Sequence, residues 1–170
     1  MIEETVSANN LDIEDTQKTF DYWLKKPYIS ESLRASLSKA NVLIVPLEGY
    51  YDKHPVFADF TERLLNFLKS SGHEGLLPDI CIEESDYVEL AQHGRTLILI
   101  GAFILSSIVA PIFVNLISDY IKERLGADDK RIKIEMTVVD ENGKGKQFRY
   151  EGSAQSFKDI ILPRLKGRNE

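Results

Sequence analysis

The hydrophobic pattern of this chain is dominated by one run of 23 uncharged residues, Thr96 to Ser118, which lies between Arg95 and Asp119. A helix of that length rises about 34 Å, and the hydrocarbon core of a bilayer is about 30 Å thick. Apolar residues occur on all sides of it, whereas a surface helix of a globular domain has one apolar stripe. We therefore expect a long helix that spans a membrane or inserts when triggered. The alternative is a core helix buried in a protein assembly.

Polar residues recur within this predicted helix at helical spacing. Ser107, Pro111, Asn115 and Ser118 are four, four and three residues apart, and Lys122 continues the line. Residues three or four apart are neighbours on a helix, so all five are expected on one face. Two roles fit such a face, namely packing between helices of neighbouring subunits or lining of a pore. Pro111 is expected to kink the helix near Ser107.

Short segments precede the apolar run and form a first predicted unit, residues 1–40, an acidic lead followed by a helical arm. Residues 1–14 are polar and acidic, and no fixed structure is expected there. The segment from Asp15 to Lys26 is expected to form a short amphipathic helix. Ser30 is placed to cap a second helix, because its hydroxyl can accept from a backbone N–H of the first turn.

A small α/β unit is predicted over residues 41–94. Residues 41–47 are typical of a buried strand, 55–70 of an amphipathic helix and 80–82 of a second strand. A strand, helix and strand in this order form a crossover with parallel strands, whose ligands bind beyond the carboxyl ends of the strands. The loop after the first strand is therefore the predicted ligand or partner site. Its candidate residues are Glu48, Tyr50, Tyr51, Asp52 and His54.

The last unit, residues 126–170, follows the apolar helix of residues 95–125. Residues 132–138 alternate between apolar and polar, which predicts a strand with one buried face, and residues 141–143 predict a hairpin turn. Ser153 or Ser156 can cap a final helix. The predicted fold class is thus α+β: a small α/β N-terminal unit, one long apolar helix, then a β-hairpin and a C-terminal helix.

Charge is distributed unevenly along the chain. Residues 1–95 contain 17 acidic and 9 basic residues, whereas residues 96–170 contain 10 acidic and 12 basic residues. The acidic half is a poor surface for nucleic acid, so no direct nucleic-acid binding is expected. The basic residues after the apolar run favour a cytoplasmic C-terminal side, which would place the long N-terminal half outside. This conflict favours the alternative in which the helix is buried in protein.

Residue types that commonly carry chemistry are sparse and widely spaced. Cys81 is the only cysteine, and it is expected to behave as a small buried apolar residue. His54, His73 and His93 are about twenty residues apart, without the close spacing typical of local metal ligands. We therefore predict no catalytic residue, no metal and no cofactor.

The layout of residues 90–165 resembles that of a known group of proteins. The apolar helix ends in the basic turn LISDYIKERL, and the hairpin KIEMTVVDENGKGKQFRYEG and a short helix follow. This layout is similar to the effector-associated constant components of bacterial conflict systems and to small membrane effectors of anti-phage systems. The resemblance implies a non-enzymatic component that oligomerises, meets a partner protein encoded alongside and permeabilises the inner membrane during infection.

Two functions follow as hypotheses. The first is an effector in the bacterial inner membrane, with mainly cytoplasmic flanks, that forms or gates an ion-conducting pore. Helices pack 8 to 10 Å apart, so roughly four or more copies would enclose a water path across the bilayer. The second is a soluble, cytoplasmic, oligomeric adaptor or regulatory subunit that buries the apolar helix against a partner enzyme.

Overall fold

The computed structural model describes residues 9–47, 54–58, 60–90, 97–125, 131–140 and 142–166. The described strands are β1 (Asn10–Thr16), β2 (Val42–Ile44), β3 (Phe57–Ala58), β4 (Pro78–Ile80), β5 (Glu89–Leu90), β6 (Leu97–Ile104), β7 (Arg131–Val139) and β8 (Gly145–Ser153). The described α-helices are α1 (Phe20–Leu24), α2 (Glu31–Leu37), α3 (Thr61–Ser70), α4 (Val109–Leu125) and α5 (Ala154–Lys166).

A mixed sheet of six strands, in the order β1-β8-β7-β6-β2-β4, runs through both the predicted α/β unit and the predicted hairpin. Strands β2 and β4 are parallel neighbours joined through α3, as the strand–helix–strand pattern predicts. Strands β7 and β8 are antiparallel, and β6 pairs with β7 in parallel. The fold is therefore richer in sheet than the predicted class, in which the C-terminal part contained only a hairpin.

The prediction of one long apolar helix is wrong. The first part of the run is strand β6, and the helix α4 begins only at Val109. Strand β6 reads as continuously apolar because both of its faces are buried: Phe103 on one face and Ile100 on the other are 0% and 4% exposed. A short apolar segment of this kind has the same pattern as part of a buried helix. The 23-residue run consists of one such strand followed by the start of a buried helix.

The boundary between β6 and α4 is made by Ser106. Its hydroxyl accepts a hydrogen bond from the backbone N–H of Ile108 at 3.1 Å, and its carbonyl accepts from Val109 and Ala110 at 3.1 and 3.2 Å. Pro111 is the third residue of α4, where a backbone N–H has no partner within the helix. The predicted kink at Pro111 is therefore wrong, because this proline lies in the first turn.

The predicted transmembrane helix, and with it the predicted ion channel and inner-membrane location, is wrong. None of the helices in the described residues is long and apolar enough to cross a membrane. The apolar side chains of α4 pack instead into the core of their own chain. Those that are at most 1% exposed are Ala110, Phe113, Val114, Ile117 and Ile121.

The N-terminal region also differs from its prediction. Residues 10–16 form strand β1, which pairs with β8 in antiparallel register, with Leu11 opposite Tyr150. This strand is stabilised by its pairing with β8 and by packing of the partly buried side chains of Leu11 and Ile13 against the core. Both β8 and the core are distant in the chain, so the local sequence does not reveal them. The helix predicted over 15–26 is the shorter α1. The cap predicted at Ser30 is confirmed, because its hydroxyl accepts from the N–H of Leu33 at 3.1 Å.

Helices cover the two faces of the sheet unequally. Helices α3, α4 and α5 pack on one face and form the large core with the apolar side chains of β7 and β8. On the other face, α1 and α2 form a second cluster with Leu43 and Phe103. The remaining side chains of that face on β1, β8 and β7 are mostly exposed, including Glu14, Arg149 and Glu135. We call this exposed part the open face.

Candidate functional site

A cavity of about 130 Å³ lies on the open face at the border where the layer of α1 ends. We call it the step cleft. One wall is mainly apolar and consists of Trp23, Val45, Pro46, Leu47 and Leu99. A polar wall beside it consists of Lys18, Lys133, Glu135, Thr137 and Gln147. The cleft thus joins apolar surface to a few polar groups, which is the usual make-up of a ligand site.

The pairing of three strands brings these residues together. The parallel register of β6 and β7 places Leu99 beside Lys133 and Gly101 beside Glu135. The antiparallel register of β7 and β8 places Gln147 opposite Thr137. Because side chains of paired residues project from the same face of a sheet, the polar and apolar groups become direct neighbours.

Gly101 allows the chain to cross closely beside the cleft. A Cβ atom at this position would lie 3.1 Å from the carbonyl oxygen of Val45 and 3.2 Å from its Cγ2. The backbone N–H of Val45 donates to the carbonyl of Gly101 at 3.1 Å. The missing side chain therefore lets the segment after β2 form one wall while the cleft stays open above β6.

The charges beside the cleft are unequally paired. Arg149 forms an ion pair with Glu14, and its Nη2 donates to the amide oxygen of Gln147 at 2.9 Å. Its Nε lies 4.0 Å from the carboxylate of Glu135, at the limit of an ion pair. In the described residues, Lys133 has no ion pair. Glu135 and Lys133 therefore present opposite charges to the cleft that the protein itself compensates only weakly.

Trp23 is held in place by its neighbours on and near α1. Its ring packs edge-on against that of Tyr22, with centroids 5.0 Å apart, and Lys26 Nζ lies 5.5 Å from its centroid. Lys26 also donates to the hydroxyl of Tyr22 at 3.1 Å. These contacts fix the wall, since α1 itself has only five residues.

Most of the loop predicted from sequence to bind a ligand lies outside the described residues. Glu48, Tyr50, Tyr51 and Asp52 lie outside the described residues, and His54 is exposed. Leu47, which lines the cleft, is the last described residue before the loop, and its N–H donates to the carbonyl of Val56 at 2.8 Å. A binding role for this loop stays a prediction.

The predicted polar stripe lies elsewhere. Ser107 is exposed in the turn before α4, and Pro111 and Asn115 are half-buried on the helix. Ser118 is 3% exposed, and its hydroxyl has no hydrogen-bond partner in the described structure. Lys122 is exposed. None of the five lines the step cleft. The pore-lining role falls with the predicted ion channel, and the helix-packing role stays a prediction.

Other reactive groups lie away from the cleft. Cys81 is fully buried, and burial, together with the charge of Asp79, raises the pKa of its thiol to about 12. His73, like His54, is exposed, and His93 lies outside the described residues. Within the described part of the chain, no three His, Cys, Asp or Glu side chains are placed to hold a metal ion.

Sequence reasoning missed the residues of the polar wall as a site. The alternation of β7 correctly assigned Lys133, Glu135 and Thr137 to its polar face, which is an ordinary solvated pattern. Only the fold shows that α1 forms a wall beside this face. Comparisons with protein-family models, with curated protein sequences and with solved structures found no match to this chain. The functional argument therefore rests on the geometry of the site.

Proposed function

We propose that this chain is a non-catalytic regulatory or adaptor protein that binds a small ligand in the step cleft. The observation that carries this proposal is the cleft itself, in which apolar residues and weakly compensated charges of opposite sign line the same cavity. An apolar surface supplies affinity, and a few placed polar groups select the ligand and fix its orientation.

The size of the cleft limits the ligand. Its volume of about 130 Å³ is below the roughly 300 to 1,000 Å³ of sites for cofactors and drug-sized molecules. Cavities of about 150 Å³ accommodate a single ring such as benzene. The ligand is therefore a small molecule with one compact apolar group, and a nucleotide is too large to be enclosed.

The chemistry of the lining favours binding over catalysis. The described lining residues contain no serine, cysteine or histidine, so no nucleophile–histidine pair lines the cleft. Cys81 lies in the second apolar cluster, where its raised pKa keeps it a thiol at neutral pH. Binding without reaction is what a regulatory subunit needs, and this agrees with the adaptor hypothesis derived from the sequence.

The proposal predicts a ligand that copurifies with the protein. The tagged chain would be produced in its own cells, washed gently and denatured, and the released small molecules identified by mass spectrometry. The variant Lys133→Glu/Glu135→Lys exchanges the two charges of the cleft without changing the net charge. The matched control, Lys122→Glu/Glu123→Lys, makes the same exchange at two exposed residues of α4.

A compound that is retained by the wild type and the α4 control, and lost from the cleft variant, would support the proposal. If no compound is retained, or if all three proteins retain the same compounds, the step cleft is not a ligand site and the proposal fails.

A further inference from the structure

We infer that the ligand of the step cleft is a small zwitterion with one apolar group, the chemistry of a free amino acid with an aliphatic or aromatic side chain. This inference rests on the proposed function, because it names the class of ligand for the same site. It follows from the presence of both signs of charge in the lining, on Lys18, Lys133 and Glu135, together with the apolar surface beside them and the volume available.

The charges lie close enough for one small molecule to meet both. Lys133 and Glu135 are two residues apart on the same face of β7, and residues at this separation are about 7 Å apart along a strand. An ammonium and a carboxylate joined through one carbon can pair with Glu135 and Lys133 together. A simple anion would pair with a lysine but not with Glu135, and a simple cation would pair with Glu135 but with neither Lys18 nor Lys133, so each gains less.

The apolar surface lies where the side chain of such a ligand would be. Leu99 is the cross-strand neighbour of Lys133, and Gly101 is the neighbour of Glu135. A ligand whose charged end is held by β7 therefore extends its side chain over β6, toward Trp23 and Pro46. The cavity volume of about 130 Å³ can hold one branched or ring-sized group.

Two buried polar residues complete the polar wall. Thr137 and Gln147 are 6% and 8% exposed. Arg149 already donates to the amide oxygen of Gln147, so the group that Gln147 can still offer a ligand is its NH₂ donor. The hydroxyl of Thr137 can donate or accept. Both groups favour a polar, hydrogen-bonding end of the ligand over a fully apolar molecule.

Three probes separate the contributions of the charges. L-phenylalanine has both charges, 3-phenylpropanoate lacks the ammonium and 2-phenylethylamine lacks the carboxylate, while the ring is the same. Titration of the full-length protein by calorimetry or NMR should show that L-phenylalanine binds three- to tenfold tighter than either analogue. This range corresponds to one partly exposed, charge-assisted contact.

Variants assign each charge to its residue. In Lys133→Met the advantage of L-phenylalanine over 2-phenylethylamine should disappear, and in Glu135→Gln its advantage over 3-phenylpropanoate should disappear. Lys122→Met on α4 should bind all three probes as the wild type does. Lys133 and Glu135 are both exposed, so these variants should keep the wild-type unfolding midpoint, which verifies that lost binding is not lost folding.

Equal binding of the three probes, or no binding of L-phenylalanine by the folded protein, would overturn the inference. The proposed function is tested separately by the compound retained from cells. If that compound depends on Lys133 and Glu135 but is not a zwitterion, the inference fails and the proposed function stands. If nothing is retained, the proposed function fails whatever the probes do.

Discussion

The carboxylate of Glu89 accepts a hydrogen bond from the backbone N–H of Glu62 at 3.3 Å and thereby caps helix α3. The residue at the usual cap position, Phe60, has no side chain that can do so. Glu89 reaches the helix because β5 pairs with β3, which places it opposite Phe57, four residues before α3 begins. The helix start is therefore satisfied by a residue 27 positions away in the chain.

Loss of this cap is expected to destabilise the protein. Glu89→Ala removes the acceptor for an N-terminal N–H and the negative charge near the positive end of the helix dipole. We expect the free energy of unfolding to fall by about 1 kcal/mol, measured by urea titration followed by circular dichroism. Glu84→Ala, at an exposed acidic residue of the nearby 3₁₀-helix, is the control and should change it by less than about 0.5 kcal/mol. Equal effects of the two variants would refute the capping role.

The hydroxyl of Tyr87 donates to the same carboxylate, which makes stability sensitive to alkaline pH. Burial, and then the hydrogen bond to Glu89, raise the pKa of Tyr87 above its ordinary value. Above about pH 10 the unfolded chain releases the phenolic proton while the folded chain keeps it, so the folded state loses stability as pH rises. Below that pH this contribution is fully present.

Tyr87→Phe should therefore reduce the fall in stability above about pH 10 and leave the dependence at neutral pH unchanged. Tyr150 contributes a slope of the same sign, because burial also raises its pKa, so the slope should decrease without vanishing. Urea unfolding of both proteins between pH 8 and 11 would measure it. An identical alkaline slope in the variant would show that Tyr87 ionises equally well in both states.

The elements that sequence reasoning predicted are those whose cause is local. The cap at Ser30 needs only residues within one turn, and the alternation of Ile132 and Ile134 is a property of a single strand. Strand β1 depends on β8, about 140 residues away, and three of its own seven residues are acidic, so composition indicated disorder. Local pattern does not reveal such a partner.

The error over the apolar run has a different cause. A central strand buried on both faces and a core helix are both continuously apolar, and no charged residue separates β6 from α4. The available signal was the pair Ser106 and Ser107, together with Pro111 in the position that suits a first helical turn. The step cleft could not be predicted from the sequence either, because Trp23 and Glu135 line the same cavity only as a result of the packing of α1 on the sheet.

Gly152 is required by the close approach of Asn9, the residue before β1, to β8. A Cβ atom there would lie 2.3 Å from the amide oxygen of Asn9 and 2.7 Å from the hydroxyl of Tyr150. Both groups are held by hydrogen bonds to Ser153. The amide oxygen of Asn9 accepts from the N–H of Ser153 at 2.9 Å, and the hydroxyl of Tyr150 donates to the carbonyl of Ser153 at 2.8 Å. Gly152→Ala should therefore lower the free energy of unfolding by about 1 to 3 kcal/mol.

The matched control for this glycine is Gly75→Ala, where the nearest atoms would be 3.9 Å from the new Cβ, an ordinary contact. This control should change the free energy of unfolding by less than about 0.5 kcal/mol. Thermal or urea unfolding of both variants measures the difference. Equal stability of the two variants would mean that β1 shifts away from Gly152 at little cost.

Ser118 gives a prediction of the opposite sign. It is 3% exposed on α4, and its hydroxyl is unpaired within the described residues, so it contributes the cost of burying a polar group without a hydrogen bond. Ser118→Ala should leave the free energy of unfolding unchanged or raise it by up to about 1 kcal/mol. Ser70→Ala is the control, because Ser70 donates to the carbonyl of Asn66 at 2.8 Å and loses that bond.

The same variant tests the helix-packing role predicted for Ser118 from sequence. Because its side chain is buried within its own chain, we expect Ser118→Ala to elute from a size-exclusion column at the wild-type volume. A loss of stability above about 1 kcal/mol would show that the hydroxyl has a partner in the folded protein. If Ser118→Ala instead eluted as a smaller species at unchanged stability, the Ser118 hydroxyl would be shown to contact a second copy of the chain.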